Sequence, residues 1–217
     1  MTPVRAVVSD FGGVLTTPLL HAFAAIQDEY GIPVGALGAA LSAAAEADGV
    51  HPLYELEKGR MSEAEFIRRV EDRLADELGR PVSMHDFNAR YFAALQPNDA
   101  LFAYFRTLRE RGIRLALLTN NVREWEPRWR AMLPIDDVFE FVVDSAFVGM
   151  RKPEPEIYEL TLSRLGLPAD ACAFVDDLER NVVAARQVGL HGVLHRDTDA
   201  TIAELERLLE PGVRAQE

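Results

Sequence analysis

The chain has 217 residues, 48% of them hydrophobic, enough for one domain with a sizeable core or for a core carrying a smaller insertion. Its formal charge is −12, and no basic run or arginine stripe opposes it, which argues against nucleic acid as a partner. No apolar run approaches the length of a membrane span, and a single cysteine, Cys172, excludes an internal disulfide.

The first apolar run, Val4-Arg5-Ala6-Val7-Val8, reads as a buried strand and leads into Ser9-Asp10-Phe11-Gly12-Gly13-Val14. Residues 16–96 then carry helical periodicity only: Leu20, Phe23, Ala24 and Ile26, then Phe66, Ile67 and Val70, then Phe87, Tyr91, Phe92 and Leu95. The Ala-rich stretch 36–47 is expected to be a helix, because Ala is the best helix former. The simplest account is a helical insertion directly after the first strand, over 16–96, with 1–15 and 97–217 forming the core. Helical patterns at 98–111, 124–133, 154–166 and 178–188 then alternate with four further runs. These are Ile113–Leu118, Phe141-Val142-Val143, Ala173-Phe174-Val175 and the weaker Gly192-Val193-Leu194. Cys172 opens an apolar run and reads as a buried structural thiol. With no basic segment and apolar run at the start, a reducing, cytoplasmic setting is expected. The residues from about Pro211 are expected to fray.

Alternation of this kind predicts an α/β fold, a Rossmann-like three-layer core with a parallel sheet. Ligands of such sheets bind beyond the carboxyl ends of the strands. Four polar signatures fall there. Asp10 follows strand one, Thr119-Asn120-Asn121 follows strand two, and Arg151-Lys152-Pro153-Glu154-Pro155 comes after strand three. Asp176-Asp177 ends strand four, with Asn181 four residues beyond the second Asp. Each alone has a plain reading as a turn or helix cap. Together, in this order, they describe a nucleophile, a hydroxyl, an ammonium and a carboxylate pair on one edge.

The order and wording of these motifs resemble the haloacid dehalogenase-like hydrolase superfamily. The resemblance is greatest to the phosphatase branch with a small helical cap after the first strand, as in the N-terminal phosphatase domains of epoxide hydrolases. It implies a Mg²⁺-dependent phosphatase acting on a small phosphorylated metabolite. Asp10 would be the nucleophile, forming an aspartyl-phosphate. Asp10, Asp177 and the main-chain carbonyl of Gly12 would hold Mg²⁺. Thr119, Asn120 and Lys152 would bind phosphate, with Thr119 and Lys152 also serving the chemistry. Asp176 and Asn181 would orient these groups from behind.

The pattern departs from the family at Gly12, where such phosphatases usually carry the Asp that protonates the leaving oxygen and then activates water. General acid–base help is typically worth about 10²–10⁴-fold in rate. Three expectations follow: a phosphatase favouring good leaving groups, a pseudoenzyme binding Mg²⁺ and a phospho-ligand or protein without turnover, or a metal-free hydrolase of the dehalogenase kind. The acidic pair Asp176-Asp177 favours phosphate esters over the last. His21 is the nearest titratable substitute for the missing acid, although a partly exposed helix histidine is the plainer reading. Trp125 and Trp129, at i, i+4 spacing, are expected to form a helical core or interface stripe. Asp48, His51, Tyr54 and Glu57 in the insertion could face either site or solvent. The helices show no sustained heptads, which argues against a coiled-coil assembly and leaves the oligomeric state open.

Overall fold

The computed structural model describes residues 3–210, with only the backbone described at Leu20 and Ile26. The side-chain expectations for those two residues, and the fraying expected from Pro211, lie outside the described residues. Strands β1 (Ala6–Ser9), β2 (Arg114–Thr119), β3 (Phe141–Asp144), β4 (Cys172–Asp176) and β5 (His191–Leu194) form one parallel sheet in the order β3-β2-β1-β4-β5. Alternate residues feed two separate clusters. Val7, Leu117 and Val175 face one side; Ala6, Val8, Leu118 and Phe174 face the other. Both faces are covered, so the strands read as continuous apolar runs rather than alternating ones.

Between β1 and β2 come α1 (Leu19–Glu29), α2 (Ala36–Asp48), α3 (Pro52–Glu57), α4 (Glu63–Leu78), α5 (Phe87–Ala93) and α6 (Asp99–Glu110). Helix α6 covers the Val7 face through Leu101, Phe105 and Leu108, whereas α1, α3 and α5 reach the carboxyl edge and α2 and α4 pack on each other and on α3. The chain leaves the sheet and returns through one antiparallel crossing. Thr16 bridges Pro97, Thr17 N–H donates to the Gln96 carbonyl at 2.8 Å, and Asn98 N–H donates to the Leu15 carbonyl at 2.8 Å. The Ala-rich segment is helical, with Ala36, Ala40 and Ala44 buried along one face at i, i+4 spacing. In α4, Ser62 caps the first turn by accepting from Glu65 N–H, and Phe66, Val70 and Leu74 bury the apolar stripe.

After β2 come a 3₁₀ turn at Arg123–Trp125, then α7 (Glu126–Met132), α8 (Ser145–Val148), α9 (Pro155–Leu165), α10 (Glu179–Val188) and α11 (Thr198–Leu209). Helices α9 and α10 cover the face of Ala6 and Phe174, while α11 joins α6 on the opposite one. Two helices, α8 and α11, add to those predicted. Both tryptophans are buried in one core cluster as expected, but not on one helix: Trp129 is on α7, whereas Trp125 belongs to the 3₁₀ turn before it. Cys172 is buried, and burial pushes its thiol up to about 11. No helix among the described residues is long and apolar enough to cross a membrane.

Candidate active site

Asp10 follows β1 at the centre of the sheet, between β2 and β4. Its main chain is fixed by its N–H donating to the Val175 carbonyl at 2.9 Å. Its Oδ1 accepts two short bonds, from Phe11 N–H at 2.7 Å and from Lys152 Nζ at 2.7 Å. No donor among the described residues reaches Oδ2. One oxygen is therefore immobilised while the other keeps its lone pairs.

Lys152 is 1% exposed, and all three of its N–H bonds are used. Besides Asp10, it donates to Asp176 Oδ2 at 2.8 Å and to the Leu118 carbonyl at 2.9 Å. Burial would lower its pKa, but the carboxylates of Asp10 and Asp176 hold it above the ordinary value, so it stays an ammonium. Asn120 clasps the same residue by its main chain: Lys152 N–H donates to Asn120 Oδ1 at 2.8 Å, and Asn120 Nδ2 donates to the Lys152 carbonyl at 2.9 Å. The side-chain amide of Asn120 thus positions Lys152. Thr119 is buried with its hydroxyl unbonded among the described residues, and it lines the cavity described below.

Asp176 is fully buried and saturated. Its oxygens accept from Lys152, from Leu178 N–H at 2.9 Å and from Asn181 Nδ2 at 2.9 and 3.1 Å. Asp177 is the next residue and faces the opening instead. Oxygens of Asp10, Asp176 and Asp177 can all lie within 4.8 Å of one another. Three carboxylates share one ammonium here. Burial first, opposed by Lys152, then Asp176 and Asp177, drives Asp10 upward; burial and Asp176 push Asp177 up to about 6.

The loop after Asp10 allows this crowding. Gly13 has φ +78°, and a Cβ there would lie 2.2 Å from Asp177 Oδ2. Gly12 differs, because its φ is not positive and its backbone would accept a side chain. A Cβ at Gly12 would meet Leu19 Cδ1 at 2.9 Å, so the start of α1 occupies the space beside it.

Above the cluster lies a cavity of about 360 Å³, floored by Asp10, Thr119, Lys152 and Asp177 and walled by the insertion and the core together. Tyr91 stands between Phe23 at 5.2 Å and Trp125 at 5.1 Å, ring centre to ring centre. Its hydroxyl has no hydrogen-bond partner among the described residues. Burial, with Asp10, Glu57 and Asp177 nearby, raises its pKa and keeps it protonated. Of the four insertion residues considered from sequence, Glu57 lines the cavity. It accepts from Arg151 Nε at 2.6 Å, and its carbonyl accepts from Ser145 Oγ at 2.6 Å. Asp48 pairs outside with Arg69, His51 stacks on Tyr54, and Tyr54 lies under the Arg151 guanidinium at 3.9 Å. His21 is exposed on α1 and does not line the cavity.

Sequence reasoning missed Leu19, Tyr91 and Arg180. Arg180 is exposed at the cavity wall one turn after Asp177, a spacing that could have drawn notice. Leu19 and Tyr91 carry no local signal.

Among known proteins, the chain is 28% identical over 218 residues to the sesquiterpene phosphatase of Aspergillus oryzae, covering 96% of this chain and 98% of that one. It is 26% identical over 217 residues to bifunctional epoxide hydrolase 2 of Sus scrofa, spanning 94% of this chain but 39% of that protein's length. A Bacteroides thetaiotaomicron HAD family enzyme solved with magnesium and inorganic phosphate shares the fold at TM-score 0.65 and 22% identity, over 89% of this chain and 94% of that one. The description of haloacid dehalogenase-like hydrolases matches residues 4–189, and with the parallel sheet and its edge motifs in place, the chain belongs to that family.

Proposed function

We propose that this hydrolase is a Mg²⁺-dependent phosphatase of small phosphate monoesters, working through an aspartyl-phosphate on Asp10. The observation that carries the reading is the two-donor lock on Asp10 Oδ1 beside an unpaired Oδ2, at the floor of a closed-in cavity. Similarity to a phosphatase over nearly the whole length of both chains supports it.

The residues present fit a hard cation. Asp10 and Asp177 offer oxygen ligands, Asp176 is already satisfied, and burial first, then the neighbouring carboxylates, raises the Asp10 and Asp177 pKa values. Asn181 Oδ1 is buried beside them with no donor. Asp10, Asp177 and the Gly12 carbonyl would hold the ion. Bound there, Mg²⁺ would offset the repulsion between phosphate oxygens and carboxylates.

Asp10 Oδ2 then forms a bond to phosphorus as the ester P–O bond breaks, and the departing oxygen takes its proton from solvent, because Gly12 has none to give. Water adds to phosphorus next, the Asp10–phosphorus bond breaks, and inorganic phosphate leaves. Throughout, Lys152 keeps Asp10 aimed, and the Thr119 hydroxyl is available to a phosphate oxygen. Esters with good leaving groups suit such a site.

A second reading, ligand binding without turnover, draws on one observation: Leu19 fills the space beside Gly12. Hydrolysis of p-nitrophenyl phosphate, with and without Mg²⁺ and with Asp10→Asn as the blank, separates the two. Metal-dependent release lost in Asp10→Asn is the expected result. No release above the blank from folded, Mg²⁺-binding protein would favour the second reading.

A further inference from the structure

We infer that the cavity above Asp10 receives the apolar tail of the substrate, so that the ester carries a hydrocarbon group and not a sugar or polyol. The inference rests on the phosphatase reading for the position of the phosphate and on the cavity walls for everything else.

Polar groups of the cavity belong mainly to the sheet edge, with Asp10, Asp177, Lys152 and Thr119 at the floor and Asn121 and Arg180 beside them, and Glu57 and the Tyr91 hydroxyl are the polar groups of the insertion side. The remaining wall is carbon. Leu19 and Phe23 come from α1, Leu53 from α3, Phe92 from α5, Leu95 from the segment behind it, and Trp125 from the core. Phe92 stands edge-on to Trp125 at 5.6 Å, which makes this wall a packed aromatic surface.

Hydroxyl groups of a sugar directed at this apolar wall would lose water and find no partners on it, which disfavours such substrates. A hydrocarbon loses nothing there and gains from leaving water. Leu19 adds a further sign. Beside Gly12, where the sequence lacks a carboxylate, the Leu19 side chain occupies the space, so the wall continues down to the phosphate end. The volume, about 360 Å³, is at the small end of those that hold organic ligands.

The 4-alkylphenyl phosphates, from methyl through butyl to octyl, test this, since the phenol leaving group is nearly constant along the series. With Mg²⁺ and below micelle concentrations, KM is expected to fall at least about tenfold from methyl to octyl while kcat changes little. The ceiling is about fourfold per fully buried methylene. Leu53→Gln, a partly exposed wall position, is expected to flatten that trend at least about threefold. A KM that does not change with chain length, or a higher kcat/KM for glucose 1-phosphate than for the octyl ester, would overturn the inference.

Binding of non-hydrolysable phosphonates, read by tryptophan fluorescence, separates this failure from failure of the phosphatase reading. Octylphosphonate binding at least about tenfold tighter than methylphosphonate supports the apolar pocket even if no ester is turned over. Equal affinities overturn it even if p-nitrophenyl phosphate is hydrolysed.

Discussion

At the sheet edge, the site groups Asp10, Thr119, Asp176 and Asp177 end a strand or directly follow one, Lys152 comes just after α8, and short buried bonds join Lys152 to Asp10 and Asp176. In the helical insertion, the groups that reach the same cavity come from α1, α3 and α5, far apart in sequence, and most meet it through carbon. The edge has Lys152 with three acceptors at 2.7–2.9 Å; the insertion's ion pairs lie mainly at its surface, such as Arg69 with Asp48 at 3.3 Å and with Glu65 at 2.7 Å. The contrast teaches a division of labour. The edge holds charge that cannot be removed without breaking its partners, and the insertion supplies shape, fastened to the core at several places. Glu57 joins Arg151 and Ser145, Lys58 pairs with Glu154 at 2.5 Å, and Glu63 N–H donates to Glu124 at 3.1 Å; at Gly59, φ +64°, a Cβ would lie 2.2 Å from the Ala146 carbonyl.

The largest expected effect tests that contrast directly. Lys152→Met leaves Asp10 and Asp176 buried without their ammonium, and should cost about 3–5 kcal/mol in denaturant unfolding and abolish turnover. Arg69→Met, which removes two surface pairs in the insertion, should cost less than about 1 kcal/mol. Equal losses would mean that the edge is not the more tightly bound region.

A middle-sized effect is expected where the two regions meet. Gly12→Asp restores a carboxylate at the expected place, on a backbone that accepts one, but into the side chain of Leu19. The single variant should gain little phosphatase activity. Gly12→Asp with Leu19→Ala, which clears the space, should gain more, up to a ceiling of about 10²–10⁴-fold. Steady-state kinetics on p-nitrophenyl phosphate decides it. A double variant no faster than the parent would show that solvent already serves as acid and base.

The difference between the regions also governs what can be read without a structure. Strand runs followed by Asp10, Thr119, Lys152 and Asp176-Asp177 are local patterns, and a parallel sheet brings its strand ends to one edge by topology alone. Sequence places the core strands to within two residues for that reason. The walls of the cavity are a different matter. Tyr91 and Leu19 look like any apolar-face residues of helices, and only the docking of those helices on the sheet turns them toward Asp10. Trp125 is buried in the core with Trp129 as expected, yet it also lines the cavity, which the spacing did not show because it assumes one continuous helix and Trp125 ends a 3₁₀ turn. Helix α8 spans four residues, too few for periodicity to register. Histidine 21 illustrates the converse: nearness in sequence to Asp10 did not bring it to the site.

The smallest effect concerns a strand-end carboxylate that lacks what the others have. Asp144 ends β3 on the same edge, and its Oδ1 accepts from Ala146 N–H at 3.0 Å while Oδ2 is buried without a donor. No lysine or arginine forms an ion pair with it among the described residues, and burial, opposed in part by the Ala146 N–H and the more distant Arg130 and Arg123, pushes its pKa up to about 6, from 3.8. A folded-state pKa above the unfolded value means that the folded chain binds more protons between about pH 4 and 6. This group's penalty is therefore absent at the acid end, grows as pH rises through that window, and is constant above it. Asp144→Asn keeps the acceptor for Ala146 and removes the charge, so it should stabilise the protein by about 1–2 kcal/mol at pH 8 and by nothing at pH 4. Thermal unfolding at the two pH values checks the sign. A loss at pH 8 would mean that Asp144 has an ionic partner, and that edge carboxylates differ less among themselves than their hydrogen bonds indicate.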